Sequence, residues 1–294
     1  MTRILVTGRT GQVSTALQKL SAADSRGPQI FAVGRPETDI ANEADVRRAI
    51  AEHRPDVVVN AAAYTAVDQA EDEPDLAHAV NALGAGHVAR ASAALGIPII
   101  QLSTDYVYSG RKPEHYVEDD ETGPLGVYGR TKLAGEDAVR RENPRHVILR
   151  TAWVYSAYGK NFLKTMLRLA ADRDSLKIVS DQYGNPTQAD DIAAAILHIS
   201  NQLMADGGNA PYGLYHLAGS GETNWADFAR AIFAESAKRS GPTAHVEGIT
   251  TAEYPTRAVR PANSRLDTSR LKHAFGIAMP SWQDGVARSV AQLI

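Results

Sequence analysis

The stretch Ile4-Leu5-Val6-Thr7-Gly8-Arg9-Thr10-Gly11-Gln12-Val13 determines the fold expected for this chain. A short apolar run leads directly into two glycines, which are followed by the amphipathic segment Val13–Leu20. Glycine lets the backbone turn tightly and approach a pyrophosphate, and the free N–H groups at a helix start attract anions. The next small position is Ser14, which suits close packing of a helix on a strand. A strand that passes through a glycine turn into a helix favours a dinucleotide-binding unit.

The first half of the chain repeats this alternation of short apolar runs and longer helical segments. The predicted strands are Ile4–Val6, Ile30–Val33, Val57–Asn60, Ile97–Ser103 and Val147–Thr151. The predicted helices between them are Val13–Leu20, Val46–His53, Asp75–Leu95 and Thr131–Arg141. This alternation is typical of right-handed βαβ units in a parallel sheet. It predicts an α/β protein with a Rossmann doubly wound parallel sheet, whose ligands bind beyond the carboxyl ends of the strands.

The pattern loosens in the second half of the chain. Helices are predicted at Asn161–Ala171, Ile192–Met204 and Trp225–Lys238, with a Gly/Tyr-rich stretch at Gly213–Gly221 and a Pro/Arg-rich one at Tyr254–Arg265. We find no low-complexity linker between the halves. We therefore expect residues 1–150 to form an NAD(P)-binding Rossmann domain. Residues 151–294 are expected to form mainly a smaller C-terminal substrate-binding domain, partly interleaved with the first.

The composition excludes several classes of protein. The 294 residues include no cysteine, which rules out disulfide scaffolds, cysteine-ligated zinc and thiol catalysis. The formal net charge of −3 lacks the strong positive balance that a nucleic-acid partner would require. No apolar run approaches the length of a membrane helix, and the N-terminus leaves no room for a secretion signal. The composition predicts a cytoplasmic protein with no nucleic-acid or membrane partner.

No metal site is expected from the sequence. The nine histidines are scattered, without the paired spacing of a zinc site. The acidic run Glu118-Asp119-Asp120-Glu121 lies between Pro113 and Pro124, and we interpret it as a solvated loop rather than a cation site. A Mg²⁺ site is not derivable from these residues.

The end of the second predicted strand bears on the choice of cofactor. An acidic residue at this point binds the ribose 2′-hydroxyl of NAD(H), whereas an arginine suits the 2′-phosphate of NADP(H). Arg35 follows the strand directly, and Glu37 and Asp39 come slightly later. This order favours NADPH over NADH, although an arginine here also fits an ordinary surface position.

Tyr128 and Lys132 form the clearest catalytic candidate. Residues four apart share one face of a helix. An ammonium group beside a phenol is expected to lower the pKa of the tyrosine from its ordinary value near 10. Thr104, at the end of an earlier strand, supplies a hydroxyl that could hold a carbonyl oxygen against that phenol. Together these residues predict a proton-transfer site for reducing a ketone or oxidising an alcohol.

Longer motifs extend over nearly the whole chain. They include Asn60-Ala61-Ala62-Ala63, Ser103-Thr104-Asp105-Tyr106-Val107-Tyr108, Asp181-Gln182-Tyr183-Gly184-Asn185-Pro186-Thr187 and Arg260-Pro261-Ala262-Asn263-Ser264-Arg265-Leu266. With the glycine turn and the Tyr-x-x-x-Lys pair, this order resembles the extended short-chain dehydrogenase/reductase superfamily. Within it, the last two motifs resemble the reductases of 4-keto-6-deoxysugars carried by thymidine diphosphate.

The resemblance implies a role for each matching residue. Tyr128 would be the general acid, Lys132 would hold the nicotinamide ribose and tune Tyr128, and Thr104 would orient the reacting oxygen. The complete set of expected cofactor-binding residues is Gly8, Gly11, Gln12, Val13, Arg35, Asp39, Ala62, Ala63, Tyr64, Thr65, Tyr128 and Lys132. The expected substrate-binding residues are Thr104, Asp105, Tyr128, Trp153 and Arg257. Arg260 and Arg265 are further candidates for a substrate diphosphate, with one or two of the three arginines expected to be surface charges.

Two other functions stay open at this point. One is another nucleotide-sugar epimerase or reductase of the same superfamily. A dehydratase is disfavoured, because Tyr106 follows Asp105 where an acidic pair would be expected. The other is a non-catalytic NADP-binding regulatory subunit, which would often lack Tyr128 or Lys132. The expected partner is a dTDP-sugar substrate, and the fold is compatible with a homodimer.

Overall fold

The computed structural model describes residues 1–24 and 27–294. The strands are β1 (Arg3–Thr7), β2 (Gln29–Val33), β3 (Val57–Asn60), β4 (Ile99–Thr104), β5 (His146–Thr151), β6 (Val154–Tyr155), β7 (Ser175–Val179), β8 (Tyr183–Gly184), β9 (Thr187–Gln188), β10 (Gly213–His216), β11 (Thr223–Asn224) and β12 (His245–Ile249). The helices are α1 (Gln12–Ala23), α2 (Glu43–His53), α3 (Val67–Ala70), α4 (Pro74–His78), α5 (Ala85–Ala93), α6 (Val127–Glu142), α7 (Phe162–Ala170), α8 (Ala189–Asp206), α9 (Trp225–Ala237), α10 (Ser269–Phe275) and α11 (Trp282–Ala291). A π-helix, Ala79–Gly84, joins α4 to α5.

A six-stranded sheet forms the centre of the described chain, with the strand order β10-β5-β4-β3-β1-β2. All of its adjacent strands pair in parallel. The order reverses between β1 and β3, and this switch point is where doubly wound sheets bind ligands. The predicted Rossmann-type parallel sheet is therefore confirmed. The strands are short and rich in β-branched residues because both faces of the sheet are covered.

Helices pack on both faces of this sheet. On one face, apolar side chains of α1, α8 and α10 form a core with the strands, with Leu17 and Ile196 fully buried. On the other face, α2, α5 and α6 cover a second core that contains Val88 and Val139. Each strand thus buries side chains in two directions, which explains the continuous apolar runs in the sequence.

The second half of the chain contributes to the first sheet. The Gly/Tyr-rich stretch forms β10, which pairs with β5 as the edge strand and was not among the predicted strands. Helix α8 packs against α1 on the same face as α10. No helix in residues 1–24 and 27–294 is both long and apolar enough to cross a membrane.

A separate core lies within the second half. Phe228 of α9 is fully buried among side chains of α7, α11 and the β7–β12 pair. Strands β7 and β12 pair in parallel at the side of this core. Three helices and a two-stranded sheet thus surround a second hydrophobic core beside the main sheet.

The predicted continuous helix Asp75–Leu95 is wrong in its middle. A π-helix interrupts it at Ala79–Gly84, a distortion that occurs mostly at functional sites. Asn81 within it is buried and bonds the backbone of Tyr64 and the hydroxyl of Thr131. These long-range hydrogen bonds have no counterpart in the helical periodicity, which is why the sequence pattern gave no sign of the interruption.

The acidic run is only partly a solvated loop. Asp119 and Glu121 are exposed, as expected, but Glu118 is buried. Its Oε1 accepts the backbone N–H of His216 at 2.9 Å. Burial raises the pKa of Glu118, and Arg270 lies 3.5 Å from its Oε2. The prediction of a solvated loop is wrong for Glu118, because this carboxylate accepts a hydrogen bond from the backbone N–H of His216 at the end of β10.

The shared core of α1 and α8 gives a stability prediction. Replacing Ile196 with alanine should lower the free energy of unfolding by about 2–5 kcal/mol, because the side chain is fully buried against the main sheet. Leu95→Ala is the control, since Leu95 is 60% exposed and its loss should change stability by less than about 0.5 kcal/mol. Urea unfolding followed by circular dichroism measures both. Equal stability of the two variants would contradict the burial of α8 in the first core.

Candidate active site

The glycine turn after β1 forms a close approach to the end of β3. Gly8 has a φ of +82°, and a Cβ at this position would lie 3.0 Å from the Ala62 backbone. Helix α1 begins at Gln12, and no side chain caps its N-terminus at Gly11. Uncapped N–H groups beside a side-chain-free turn suit a pyrophosphate. The residues present therefore fit a dinucleotide cofactor.

The side chains of Gln12 and Val13 contact other parts of the protein, so they do not face a bound phosphate. The side chain of Val13 is buried in the core. The amide of Gln12 donates to the carbonyl of Val154 at 3.3 Å, and its Oε1 accepts hydrogen bonds from Ser156 and Asn161. Their backbone N–H groups remain the parts that suit a phosphate. The side chain of Gln12 instead ties the glycine turn to the second half of the chain.

Two arginines lie where β1 and β2 end. Arg35 is exposed, and Arg9 pairs with Glu37 at 2.9 Å between Nη2 and Oε2. The Arg9 backbone packs across Gly34, where a Cβ would lie 3.1 Å from the Arg9 nitrogen. Asp39 bonds the backbone N–H of Ala41 through Oδ1. Sequence reasoning missed Arg9, although its place inside the glycine turn was a usable signal.

The segment after β3 forms a further wall beside the glycine turn. Ala62 and Ala63 are half-buried, whereas Thr65 is exposed. The backbone N–H of Tyr64 donates to Asn81 at 2.8 Å, and its hydroxyl donates to Glu73 at 2.7 Å. Burial and Glu73 raise the pKa of Tyr64 to about 12. This wall is held mainly by Asn81, which sequence reasoning missed.

Tyr128, Lys132 and Thr104 come together at the carboxyl edge of the sheet. Tyr128 and Lys132 lie one turn apart on α6, and Thr104 is the last residue of β4. The hydroxyl of Thr104 donates to Asp105 at 3.0 Å and also acts on the phenol of Tyr128, whose pKa it lowers. The ammonium of Lys132, which is buried, donates to the carbonyl of Leu102 at 2.7 Å. The structure thus groups the three residues that the sequence singled out for proton transfer.

The expected lowering of the tyrosine pKa by the lysine is wrong for this structure. Burial raises the pKa of Tyr128 to about 12, the charge of Asp105 adds to this rise, and the hydroxyl of Thr104 opposes it. Burial also lowers the pKa of Lys132 to about 8, against the attraction of Glu136. Spacing on a helix indicated the pair correctly, but burial disfavours the charged form of each group, and Lys132 is not among the causes that shift the pKa of Tyr128. Tyr128 is therefore a protonated phenol at neutral pH.

Asp105 lies beside this group and has one free oxygen. Its side chain is 2% exposed, and its Oδ1 accepts a hydrogen bond from Thr104 at 3.0 Å, whereas Oδ2 has no partner among the described residues. Burial raises the pKa of Asp105 to about 6. A buried acceptor without a partner is costly unless a ligand satisfies it. This observation fits the expected contact of Asp105 with substrate.

A cavity of about 830 Å³ opens next to Tyr128. Tyr106, whose ring meets that of Tyr128 edge to face at 5.6 Å, lies in its wall. Residues of the second half line most of it, including Phe162, Arg173, Lys177, Gln182, Trp225 and Arg260. Aromatic faces together with cationic groups suit a nucleotide. The sequence indicated Arg260 among these residues but gave no sign that α7 and β7 approach the catalytic edge.

Trp153 lies behind the cavity wall. Its ring stacks on that of Trp225 with centroids 3.5 Å apart and planes 7° from parallel. Trp153 has a φ of +46°, which a bulky residue adopts only when its surroundings hold it there. Gly184 permits this arrangement, since a Cβ there would lie 2.6 Å from the indole. Trp225 lines the cavity, and Trp153 supports it.

The three candidate arginines have different surroundings. Arg257 is exposed and pairs with Asp72. Arg265 bonds Asn263 and Glu222. Arg260 forms two bonds to Asp68, at 2.6 and 3.2 Å, and also lines the cavity. Arg260 is thus the one of the three that faces the cavity, and Arg257 remains a prediction.

A doubly wound parallel sheet with a glycine turn after β1 and a Tyr-x-x-x-Lys pair on the helix following β4 defines the class of extended short-chain dehydrogenases/reductases. The family model described as the RmlD substrate binding domain matches residues 1–294. The chain therefore belongs to this family.

Individual relatives agree with this assignment. The chain is similar to a dTDP-4-dehydrorhamnose reductase from Sinorhizobium fredii, with 48% identity covering 99% of this chain and 98% of the relative. Among solved structures it resembles a dTDP-4-dehydrorhamnose reductase from Clostridium acetobutylicum, with a TM-score of 0.90, 36% identity and 99% of each chain covered. A dTDP-4-dehydrorhamnose reductase from Bacillus anthracis, solved in complex with NADP, gives the same four values.

The glycine turn gives a binding prediction. Gly8→Ala should lower NADPH affinity about tenfold or more, because the added Cβ meets the Ala62 backbone and a positive φ costs about 1–3 kcal/mol. Gly96→Ala is the matched control, since Gly96 has a φ of +66° with open space around its Cβ position. It should lose stability but keep NADPH affinity. Fluorescence titration with NADPH measures both, and equal affinity would exclude the turn from the cofactor site.

Proposed function

We propose that this protein reduces the C4 keto group of dTDP-4-dehydro-6-deoxy-L-mannose to give dTDP-L-rhamnose. The observation that carries the proposal is the grouping of Tyr128, Thr104 and Lys132 beside a cavity lined by aromatic and cationic side chains. The names of relatives similar over their full length support the substrate. NADPH or NADH, when bound, supplies the hydride for this reduction.

The side chains of the site supply the proton and the orientation. Tyr128 donates its phenolic proton to the C4 oxygen, which becomes the hydroxyl of the product. Because burial raises the pKa of Tyr128 to about 12, the phenol carries a proton to donate at neutral pH. The hydroxyl of Thr104, at the same edge of the sheet, would hold the C4 oxygen in line with the phenol. The hydrogen bond from the Thr104 hydroxyl would stabilise the C4 oxygen most strongly as negative charge develops on it.

Lys132 and Asp105 complete the proposed site. The ammonium of Lys132, anchored on the Leu102 carbonyl, would bond the nicotinamide ribose and place positive charge near the phenol. Asp105 would accept a hydrogen bond from the deoxysugar through its unpartnered Oδ2. Each role uses a donor or acceptor that is already fixed by the surrounding protein, which lowers the cost of reorganisation during reaction.

The two halves of the chain would divide the ligands between them. Residues 1–150 would hold the cofactor through the turn at Gly8 and the wall from Ala62 to Thr65. Residues 151–294 would hold mainly the dTDP group, with Arg260 facing its diphosphate and Trp225 offering an aromatic face. The homodimer and the cytoplasmic location stay predictions.

NADPH is the proposed preferred cofactor. Arg35 is exposed beside the glycine turn, and Arg9 adds a second guanidinium at the same edge. Guanidinium groups match the oxygens of a 2′-phosphate with their planar donors. The solved relative in complex with NADP supports this choice. Glu37, which pairs with Arg9, offers a carboxylate for the free 2′-hydroxyl of NADH.

The proton-donor role gives the central test. Tyr128→Phe should keep NADPH affinity but reduce kcat by about 10² to 10⁴, because only the phenolic proton is lost. Turnover is followed as loss of absorbance on mixing enzyme, NADPH and freshly made dTDP-4-dehydro-L-rhamnose. Tyr183→Phe is the control, since Tyr183 is exposed and belongs to β8. Near-normal turnover of Tyr128→Phe would remove this residue from the reaction, and no turnover of the unmodified protein would refute the proposed function.

The cofactor preference has its own variant. Arg35→Ala should lower the ratio of kcat/KM for NADPH to that for NADH by about tenfold, as expected for loss of one charge-assisted hydrogen bond at an exposed site. Arg47→Ala is the comparison, because Arg47 is an exposed arginine that pairs with Glu43 on α2. The ratio should not change there. An unchanged ratio in Arg35→Ala would show that a residue other than Arg35 selects for the 2′-phosphate of NADPH.

A further inference from the structure

The carboxylate of Glu136 joins three elements of the candidate active site. Glu136 lies on α6, four residues after Lys132, and its side chain is fully buried. Its Oε1 accepts a 2.5 Å hydrogen bond from Ser103, the residue before Thr104 on β4. Both of its oxygens accept hydrogen bonds from Arg150 of β5, at 2.9 and 2.7 Å. One carboxylate thus connects the helix that carries Tyr128 and Lys132 to both adjacent strands.

The charge of this carboxylate also acts on Lys132. Lys132 is buried, and desolvation lowers its pKa to about 8. Glu136 opposes that effect by favouring the ammonium form. The elements packed against α6 carry other titratable groups, namely Asp68, Asp75, His78, His87, Arg90, Asp105, Tyr106, His146 and Arg150. In the described part of the chain, burial and Glu136 account for the shift at Lys132.

Glu136 keeps its charge at neutral pH because its partners are fixed. The paired guanidinium of Arg150 holds the pKa of Glu136 below its ordinary value. Arg150 in turn donates to the hydroxyl of Tyr108 at 2.7 Å. Tyr108 contacts Nε2 of His216 at 2.7 Å, and Nδ1 of His216 lies 3.0 Å from the Asp267 carbonyl.

These contacts determine where the protons lie. Burial and Arg150 lower the pKa of His216 to about 4, so its ring is neutral above that pH. The carbonyl of Asp267 can only accept, which assigns the ring proton to Nδ1. Nε2 then accepts from Tyr108, and the Tyr108 oxygen is free to accept from Arg150. The Tyr108 hydroxyl also lies 3.1 Å from the carbonyl of Val117, a second acceptor for its proton, and the charges of Glu136, Arg150 and His216 are the same with either acceptor.

We propose that Glu136 is a positioning residue that sets the location and the protonation of Lys132 through its buried bonds to Ser103 and Arg150. This inference rests on the proposed function, in which the Lys132 ammonium holds the nicotinamide ribose. Loss of the Glu136 charge leaves Lys132 buried without the negative group that favours its ammonium form. The ammonium then loses its proton at a lower pH.

The expected effect is a change in pH dependence. In the unmodified protein, activity and NADPH affinity fall at alkaline pH as Lys132 loses its proton. We call this fall the alkaline limb of the pH profile. Glu136→Gln keeps the shape of the side chain and an acceptor for Ser103. In this variant the midpoint of the alkaline limb should lie about 1 pH unit or more lower. The shift has this sign because the removed charge had raised the pKa of Lys132.

The experiment compares three variants of the full chain with the unmodified protein. Glu136→Gln leaves Arg150 buried without a counter-charge and is expected to be less stable. The double variant Glu136→Gln with Arg150→Met removes both charges of the pair, so it tests the same lysine without an unpaired guanidinium. Arg140→Gln is the control, because Arg140 bonds the same carboxylate from the half-exposed side and its charge is screened.

Two readouts are measured over pH, namely kcat/KM for the dTDP-sugar and NADPH affinity by fluorescence titration. The inference predicts an acid-shifted limb in Glu136→Gln and in the folded double variant, and an unmoved limb in Arg140→Gln. An unmoved limb in the folded double variant would overturn it and leave Glu136 a purely structural role. If the unmodified protein binds NADPH but does not turn over the sugar, the proposed function fails, and the affinity limb still decides the role of Glu136.

Discussion

The parallel direction of all adjacent strands in the central sheet is the constraint on which the site depends. It brings the carboxyl ends of β1, β3 and β4 to one edge, so residues far apart in sequence meet there. Gly8 approaches Ala62 because β1 and β3 are neighbours, although 53 residues separate Thr7 from its hydrogen-bond partner Asn60. The reversal of strand order between these strands opens the crevice in which such sheets bind ligands.

Burial at this edge has an electrostatic cost that the surrounding residues limit. Desolvation disfavours the charged forms of Tyr128 and Lys132, which explains why their pKa values move in opposite directions. A phenol that keeps its proton is suited to donate it to a developing alkoxide. A lysine that loses its charge easily is less suited to bind a ribose, so a nearby buried carboxylate such as Glu136 has a clear physical function. Burial thus keeps the proton on Tyr128, which would donate it, whereas Glu136 helps to keep the positive charge on Lys132, which would bind the ribose.

The sequence predicted those parts of the fold and site that depend on local pattern. The glycine turn is contiguous with β1 and α1, and Tyr128 and Lys132 share a helix face, so short windows contain the whole signal. Asn81 and Trp225 were missed because their roles arise from contacts with distant segments. Strand β10 was missed for the same reason, since its glycine- and tyrosine-rich sequence becomes a strand by pairing with β5. The lowered tyrosine pKa was wrong because spacing carries no information about desolvation.

Contacts between the two halves cross the boundary that the sequence pattern placed at residue 150. Gln12 bonds Val154 and Asn161, and Asp68 bonds Arg260, so hydrogen bonds join the first half to the second both at the glycine turn and at the cavity wall. Hydride transfer requires two ligands to meet within a narrow range of distance and angle. Interleaving of the halves contributes to this positioning through packing, because β10 is a strand of the sheet that carries the glycine turn and α8 packs on that sheet.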